Sequence, residues 1–337
     1  MVWTEGSMRT RTTRGKGEGA EGPRHVPVLA REVVALFADL ADALRKGWIV
    51  DGTLGLGGHT ALLLEALPDA RVLGVDQDED ALVVARERLA GFGERVRFAR
   101  GRMSELEAVV AREAIAPVAG FLFDVGVSSL QLDAAARGFS FQADGPLDMR
   151  MDRRRERSAA DIVNRWDEAD LADLFYYEGE EPKARVVARA IVAARRQAPF
   201  LRTLPLADLI ERAIGRGGNP KIHPATRVFQ ALRRAVNEEG DELLEGLSAA
   251  EHRLAAGGRL VVISFHSLED AEVKARLSEG AARGLWTLLT KKPVVPDRDE
   301  VRANPRSRSA RMRAAERTVL PSGSVPATCR PSQGGRP

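Results

Sequence analysis

Ile49-Val-Asp-Gly-Thr-Leu-Gly-Leu-Gly-Gly-His-Thr60 decides how the rest of the chain is read. Trp48, Ile49 and Val50 are apolar and suit a buried strand. Glycines follow at 52, 55, 57 and 58, and residues 60–67 read as the first turns of a helix. Strand, glycine-rich turn, helix is how an α/β sheet offers backbone N–H groups and a helix N-terminus to a ligand. The dinucleotide fingerprint fails, because Thr60 stands where a third glycine is required after Gly55 and Gly57. The Walker pattern fails too, since no Gly-Lys-Ser/Thr follows. An acid at the strand end (Asp51) and the four glycines remain. An ordinary tight strand-to-helix turn has the same appearance.

Outward from this stretch, strands and helices alternate. Residues 71–76, 96–99 and 120–124 are short apolar runs, and Asp78 and Ser104 can cap the helices between them, 78–90 and 104–112. Such spacing means βαβ units and a parallel sheet. Ligands of these sheets bind beyond the carboxyl ends of the strands. Asp51, Asp76, the turn at Met103 and Asp124 should therefore line one crevice. Asp76 follows the glycine turn by about twenty residues, where an acid can accept hydrogen bonds from ribose hydroxyls. That points to an adenosine-containing ligand. Asp51 with its glycines resembles motif I of S-adenosylmethionine-dependent methyltransferases.

The alternation breaks between residues 127 and 239. Helical patterns at 169–177, 184–194, 206–214 and 227–236 read as a helical insertion after the fourth strand. Arg185, Arg189 and Arg196 fall near one face of the second of these. Residues 183–202 hold six bases and no acid, and residues 291–317 hold nine bases and four acids, on a chain whose net charge is only +3. Local basic stretches on a near-neutral chain suit a polyanion, although solvated helix faces are charged in the same way. The sheet resumes at 259–266, after a helix at 241–256 that Gly257-Gly258 should end. Residues 285–292 and 313–320 are expected as final strands, with 298–313 a basic loop between them. A helix is expected over 32–44, where Val33, Leu36, Phe37, Leu40 and Leu44 have helical spacing.

Residues 1–24 and 321–337 are poor in apolar side chains and are expected to be disordered. Hydrophobic content of 44% and charged content of 29% are those of a soluble globular protein. Cys329 is the only cysteine, so no disulfide framework or cysteine metal cluster can form, and no spacing of Asp and Glu makes a metal ligand set. Without an apolar run of membrane-spanning length, the expected location is the cytoplasm.

Longer motifs are more specific. They are Asp124-Val-Gly-Val-Ser-Ser-Leu-Gln-Leu-Asp133, Arg137-Gly-Phe-Ser-Phe141 and Asp144-Gly-Pro-Leu-Asp-Met-Arg-Met-Asp152. His223-Pro-Ala-Thr-Arg-Val-Phe-Gln-Ala-Leu-Arg-Arg-Ala-Val-Asn-Glu238 and Val262-Ile-Ser-Phe-His-Ser-Leu-Glu-Asp270 follow. With His25-Val-Pro-Val28 and the glycine turn, these resemble the RsmH (MraW) family of bacterial 16S ribosomal RNA cytosine N4-methyltransferases. The resemblance runs from about residue 25 to residue 317. It implies a Rossmann-like class I methyltransferase sheet, residues 25–130 and 240–320, with an inserted helical domain, 131–239, that meets the RNA. It also implies S-adenosylmethionine as methyl donor and a cytosine in the decoding region of 16S rRNA, within the small ribosomal subunit, as target.

Carried over by motif, the cofactor contacts are Gly57, Gly58, His59, Asp76, Met103, Asp124 and Gln131. Met103 stands where the family commonly has Phe; it keeps an apolar surface for the adenine and loses a stacking ring. His59, at a helix N-terminus, suits a neutral contact, because the dipole there disfavours imidazolium. The acceptor that polarises the cytosine amine can be Asp124, a backbone carbonyl at 125 or 126, or Ser128. Arg150, Arg185, Arg189, Arg227, His266 and Ser267 are the candidates for holding the RNA, with Phe229 a further stacking surface. Capping would explain His266 and Ser267 equally well. Three rival readings compete: a nicotinamide oxidoreductase, which Thr60 opposes; a non-enzymatic RNA-binding assembly factor with an adenosine pocket; and a methyltransferase of DNA or protein. The DNA amino-methyltransferases are disfavoured by the missing Asn/Asp-Pro-Pro motif.

Overall fold

The computed structural model describes residues 27–216 and 223–318. The expected N-terminal extension and tail, His25 and Cys329 lie outside the described residues. The chain opens with α1 (Ala30–Ala38) and α2 (Asp42–Arg45). Then β1 (Trp48–Asp51), α3 (Gly58–Ala66), β2 (Arg71–Asp76), α4 (Glu79–Leu89), β3 (Val96–Arg100), α5 (Leu106–Arg112) and β4 (Val118–Asp124) alternate. The region after β4 is helical: α6 (Ser129–Asp133), α7 (Ala159–Arg165), α8 (Glu168–Tyr177), α9 (Ala184–Arg195), α10 (Thr203–Ile214) and α11 (Thr226–Asn237). The chain returns to the sheet through α12 (Glu239–Arg253) and β5 (Leu254–Ser264). It finishes with α13 (Ser267–Ala282), β6 (Trp286–Leu288), α14 (Arg298–Ala303) and β7 (Arg311–Arg317).

The strands form one sheet in the order β3-β2-β1-β4-β5-β7-β6. β1 to β5 run parallel, and β7 is antiparallel to both β5 and β6. From β1 the chain winds out to β3, then crosses back to β4. The crevice opens at this reversal, between the carboxyl ends of β1 and β4. All of β1 is buried because both faces are covered. Val50, Leu73, Phe121 and Phe123 pack with Leu243 and Leu247 of α12 on one face. Ile49, Val72, Leu122 and Ile263 pack with Phe37, Leu63 and Leu82 on the other. A third apolar cluster, from Phe139 to Val236, lies wholly between β4 and β5 and holds Val163, Phe175, Ile191, Ile210 and Leu232. The insertion thus has a core of its own.

Charged bonds fasten the insertion to the sheet. Arg137 is buried and lies 2.8 Å from Asp78. Arg155 meets Glu242 at 3.0 Å, and Arg100 meets Asp152 at 3.1 Å. Arg234 on α11 bonds Glu178 at 2.7 Å and reaches Glu269 of α13 at 3.4 Å. The amide of Asn237 bonds the backbone of Met149 and Met151, both at 2.8 Å.

Four sequence expectations are corrected. The helix expected over 32–44 is broken between α1 and α2, because Arg259 reaches from β5 to the carbonyls of Leu36 and Asp39. A guanidinium on the last carbonyls ends a helix as a C-cap does. Gly257-Gly258 does not terminate α12, which stops at Arg253; the pair lies within β5, where the register against β4 shifts and Gly257 takes φ +78. It is a bulge in a strand. The basic loop expected at 298–313 contains α14, capped by Asp297, whose carboxylate accepts from the Asp299 and Glu300 N–H groups. The two final strands lie at 286–288 and 311–317, both shorter than expected, the second starting two residues earlier. Among the described residues no helix is long and apolar enough to cross a membrane.

Candidate active site

The carboxyl ends of β1, β2 and β4 and the insertion enclose a cavity of about 830 Å³. Asp51 ends β1 and is buried; its carboxylate accepts the Thr60 hydroxyl at 2.7 Å and the Thr53 N–H at 3.3 Å. Gly55 follows at φ +51, and a Cβ there would meet only the Thr53 carbonyl oxygen, at 3.9 Å. Gly57, at φ +75, is different: a Cβ would strike Leu89 at 2.9 Å. Gly57 therefore faces α4 and lets the turn pack, whereas Gly55 and Gly58 line the cavity. Gly57, expected from the motif as a cofactor contact, is not part of the cavity lining, and Gly55 is.

Asp76 ends β2 and pins the turn, accepting the Gly55 N–H at 2.7 Å and the Asp78 N–H at 2.8 Å. Each oxygen keeps acceptor capacity. Asp124 ends β4, and its backbone N–H donates to Thr53 Oγ1 at 2.6 Å. Its Oδ2 lies 3.4 Å from His59 Nε2, and its Oδ1 is buried with no hydrogen-bond partner among the described residues. Burial pushes the carboxyls of Asp51 and Asp76 up to about 6. Burial, then the charges of Asp51 and Glu269, pushes Asp124 up to about 7. None of the three pairs with a lysine or arginine among the described residues. Such a cluster favours a cationic ligand.

The remaining sequence candidates divide. Met103 lines the cavity as an apolar wall and packs against Gly246 of α12. Gln131 is buried at its edge, where its Oε1 accepts the Ser128 N–H at 3.0 Å and its amide donates to Asp78 at 2.8 Å. His266 lines the cavity and also caps α13, its Nδ1 accepting the Leu268 N–H at 3.3 Å. Its burial, and next the charge of Arg234, hold the ring below the ordinary imidazole range. Ser267 does not line the cavity; its hydroxyl donates to Glu180 at 2.9 Å.

Arg150, Arg185, Arg189 and Arg227 do not line it either. Arg150 is held by both oxygens of Asp148, at 2.7 and 3.0 Å, and by the Arg155 carbonyl at 2.7 Å. Arg185 and Arg189 are exposed on α9, because Val187, Ala188 and Ile191 turn the other side of that helix into the insertion core. Arg227 is exposed on α11. The expected basic lid over the crevice is therefore an outward face. The cavity's insertion wall is instead Phe139, Phe141, His223, Phe229, Gln230 and Arg233. Arg233 was not singled out by sequence. Its signal was its spacing from Phe229, four residues on, which puts the two on one face of α11. Of the basic stretch 298–313, Asn304 and Arg306 line the mouth, and Arg306 lies 2.6 Å from Asp133.

These residues fit S-adenosylmethionine. Gly55 leaves room for close approach, Asp76 keeps acceptor capacity for ribose hydroxyls, and Met103 supplies an apolar wall. Carboxylates with no lysine or arginine paired to them among the described residues suit a sulfonium. A doubly wound sheet of this strand order, with that turn and those acids, defines a class I S-adenosylmethionine-dependent methyltransferase. Its lineage is narrower: the MraW methylase family model matches residues 22–318, and the chain belongs to that family.

Relatives include proteins called ribosomal RNA small subunit methyltransferase H. The one from Methylorubrum populi is 47% identical over 331 residues, 94% of this chain and 93% of the relative. The one from Sorangium cellulosum is 50% identical over 296 residues, 88% and 91% of the two chains. Among solved structures, a putative rRNA methylase from Clostridium thermocellum matches with a TM-score of 0.42 and 12% identity, covering 86% of this chain and 97% of that one. The O-methyltransferase TomG from Streptomyces achromogenes, in complex with SAM, matches with a TM-score of 0.40 and 14% identity, covering 88% and 83%.

Proposed function

We propose that this protein methylates 16S ribosomal RNA of the small subunit, at the N4 amine of a cytosine in the decoding region, with S-adenosylmethionine as donor. The relatives' names support ribosomal RNA of the small subunit as substrate. The observation that carries the amine is Asp124, which lines the same cavity as an aromatic wall and whose buried Oδ1 has no hydrogen-bond partner among the described residues. S-adenosylmethionine supplies a methyl group already activated by its sulfonium.

The chain's task is to position the acceptor and manage its proton. The N4 lone pair of cytosine is delocalised into the ring. Asp124 accepts a hydrogen bond from N4–H, which favours the nucleophilic form and stabilises the positive charge growing on nitrogen. As the N–CH3 bond forms and the methyl's bond to sulfur breaks, its electron pair leaving with the neutral thioether, Asp124 takes the N4 proton. A carboxyl held near 7 is matched to that exchange at neutral pH. Asp76 and the glycine turn hold the ribose and amino-acid ends of the donor, and Met103 holds its adenine.

The test is labelled methyl transfer to small subunits from a strain lacking this gene, with the label mapped to a nucleotide. N4-methylcytosine in the decoding region, abolished in Asp76→Ala and Asp124→Ala, is the expected result. Transfer to another base, or full activity of Asp124→Ala, would overturn the proposal.

A further inference from the structure

The cavity wall that α11 supplies carries polar groups with no part yet in the chemistry. On α11, Phe229, Gln230 and Arg233 face the cavity. Phe141 lies edge-on to Phe229 with ring centroids 4.7 Å apart, and 4.8 Å from the ring of His223. His223 is locked: its Nδ1 accepts the Ala225 N–H at 3.1 Å, so Nε2 carries the proton toward Glu211, also at 3.1 Å. With both nitrogens engaged, these rings offer faces rather than hydrogen bonds. Arg233 differs. It bonds Glu239 at 2.7 Å, yet its Nε–H is buried without a partner among the described residues. A buried guanidinium N–H without an acceptor is unfavourable until a ligand supplies one.

We propose that this wall is a base-reading subsite, in which the aromatic rings hold a pyrimidine by its face while Arg233 Nε–H and the Gln230 amide donate to its O2 and N3. The proposal rests on the reading of the acceptor as a cytosine. Cytosine presents acceptors at O2 and N3 and a donor at N4; uracil presents an N3–H instead. Reading O2 and N3 from α11 leaves N4 turned toward Asp124. A uracil in the same pose would set its N3–H against the guanidinium N–H. Sites built around a specific hydrogen bond reject the wrong partner far more strongly than apolar pockets do.

The experiment is calorimetric binding of cytidine monophosphate and uridine monophosphate to the full chain loaded with S-adenosylhomocysteine. The wild type should prefer the cytidine nucleotide by at least about tenfold. Arg233→Lys keeps the charge beside Glu239 and removes the Nε–H. It should bring that preference close to unity and raise the KM for small subunits, with affinity for S-adenosylmethionine within about twofold of wild type. Gln230→Ala, which breaks no ion pair, should shift the nucleotide ratio in the same direction. A wild type without the preference, or variants that both retain it, overturns the subsite. The two failures are separable: a methyl group mapped away from cytosine sinks the acceptor assignment and this subsite's ligand with it. A wild-type rate of N4-methylcytosine formation by Arg233→Lys sinks the subsite alone.

Discussion

Aspartates at the sheet edge and aspartates in the insertion are shifted in opposite directions. Asp51, Asp76 and Asp124 are pushed up to between about 6 and about 7 by burial beside one another, with no lysine or arginine paired to them among the described residues. Asp152 is held down at about 2, where the bonds from Arg154 outweigh its burial. Asp144, Asp148 and Asp161 are also lowered, by bonds from Arg202, Arg150 and Ser158 respectively. The same side chain thus serves two ends. In the insertion it is matched within the fold and holds loops and helices together. At the sheet edge it is left unmatched, at a cost in stability that a cationic ligand can recover. The difference marks which region is scaffold and which is site.

The largest expected effect comes from removing the acceptor while keeping its shape. Asp124→Asn should slow single-turnover methyl transfer by on the order of 10²–10³, with S-adenosylmethionine affinity changed far less, since one transition-state acceptor is lost. Equal losses in binding and rate would make Asp124 a cofactor contact only. In the wild type, the single-turnover rate should climb with pH through about 7 as Asp124 loses its proton.

The scaffold has its own test. Arg234→Met leaves Glu269 buried without that cation and should cost about 3–5 kcal/mol in urea denaturation. A loss below about 1 kcal/mol would show that the Arg234 bonds do not dock the insertion.

The opposite shifts also predict a stability profile. Acids whose folded pKa is raised bind protons more tightly when folded, so their stabilisation is complete below about 4 and is lost as pH rises to about 7. Acids with lowered values act in the other window. Asp152 contributes stability above about 4 that disappears as pH falls toward about 2. The ligand-free protein should therefore lose stability between about pH 4 and about pH 7 in thermal unfolding. Asp124→Asn and saturating S-adenosylmethionine should each flatten that decline, and an unchanged slope in both cases would erase the contrast.

The smallest effect concerns the outward face of α9. Arg185→Glu with Arg189→Glu should weaken binding to small subunits a few-fold and reduce the salt slope by about 1–2, as for lost phosphate contacts. An unchanged slope would leave that face as solvated surface.

How much of this was legible in the chain varies with the region. Around the sheet, period and punctuation sufficed to place Asp51, Asp76, Met103 and Asp124 at strand ends, because a parallel strand ends where its apolar run ends. The glycines were harder: Gly55 and Gly57 look alike in sequence, and only the packing of Leu89 separates them. In the insertion, charge pointed the wrong way. Arg185 and Arg189 attract notice as a basic row, whereas Arg233 hides among six neighbouring residues of mixed character, from Gln230 to Val236. Arg150, within a conspicuous motif, is occupied by Asp148. The break after Ala38 has no local cause at all, since Arg259 imposes it from a strand more than two hundred residues away.

Periodicity, caps and the glycine turn by themselves determined an alternating sheet whose acidic strand ends share one crevice, because local backbone preference and apolar period act over a few residues. Which acids are left without a lysine or arginine partner among the described residues, which arginine lines the cavity, and which rings share its wall were decided by tertiary structure alone. Those properties depend on groups from β4, α11 and α13 that meet only when the insertion closes on the sheet, where burial and charge are set by neighbours distant in the chain.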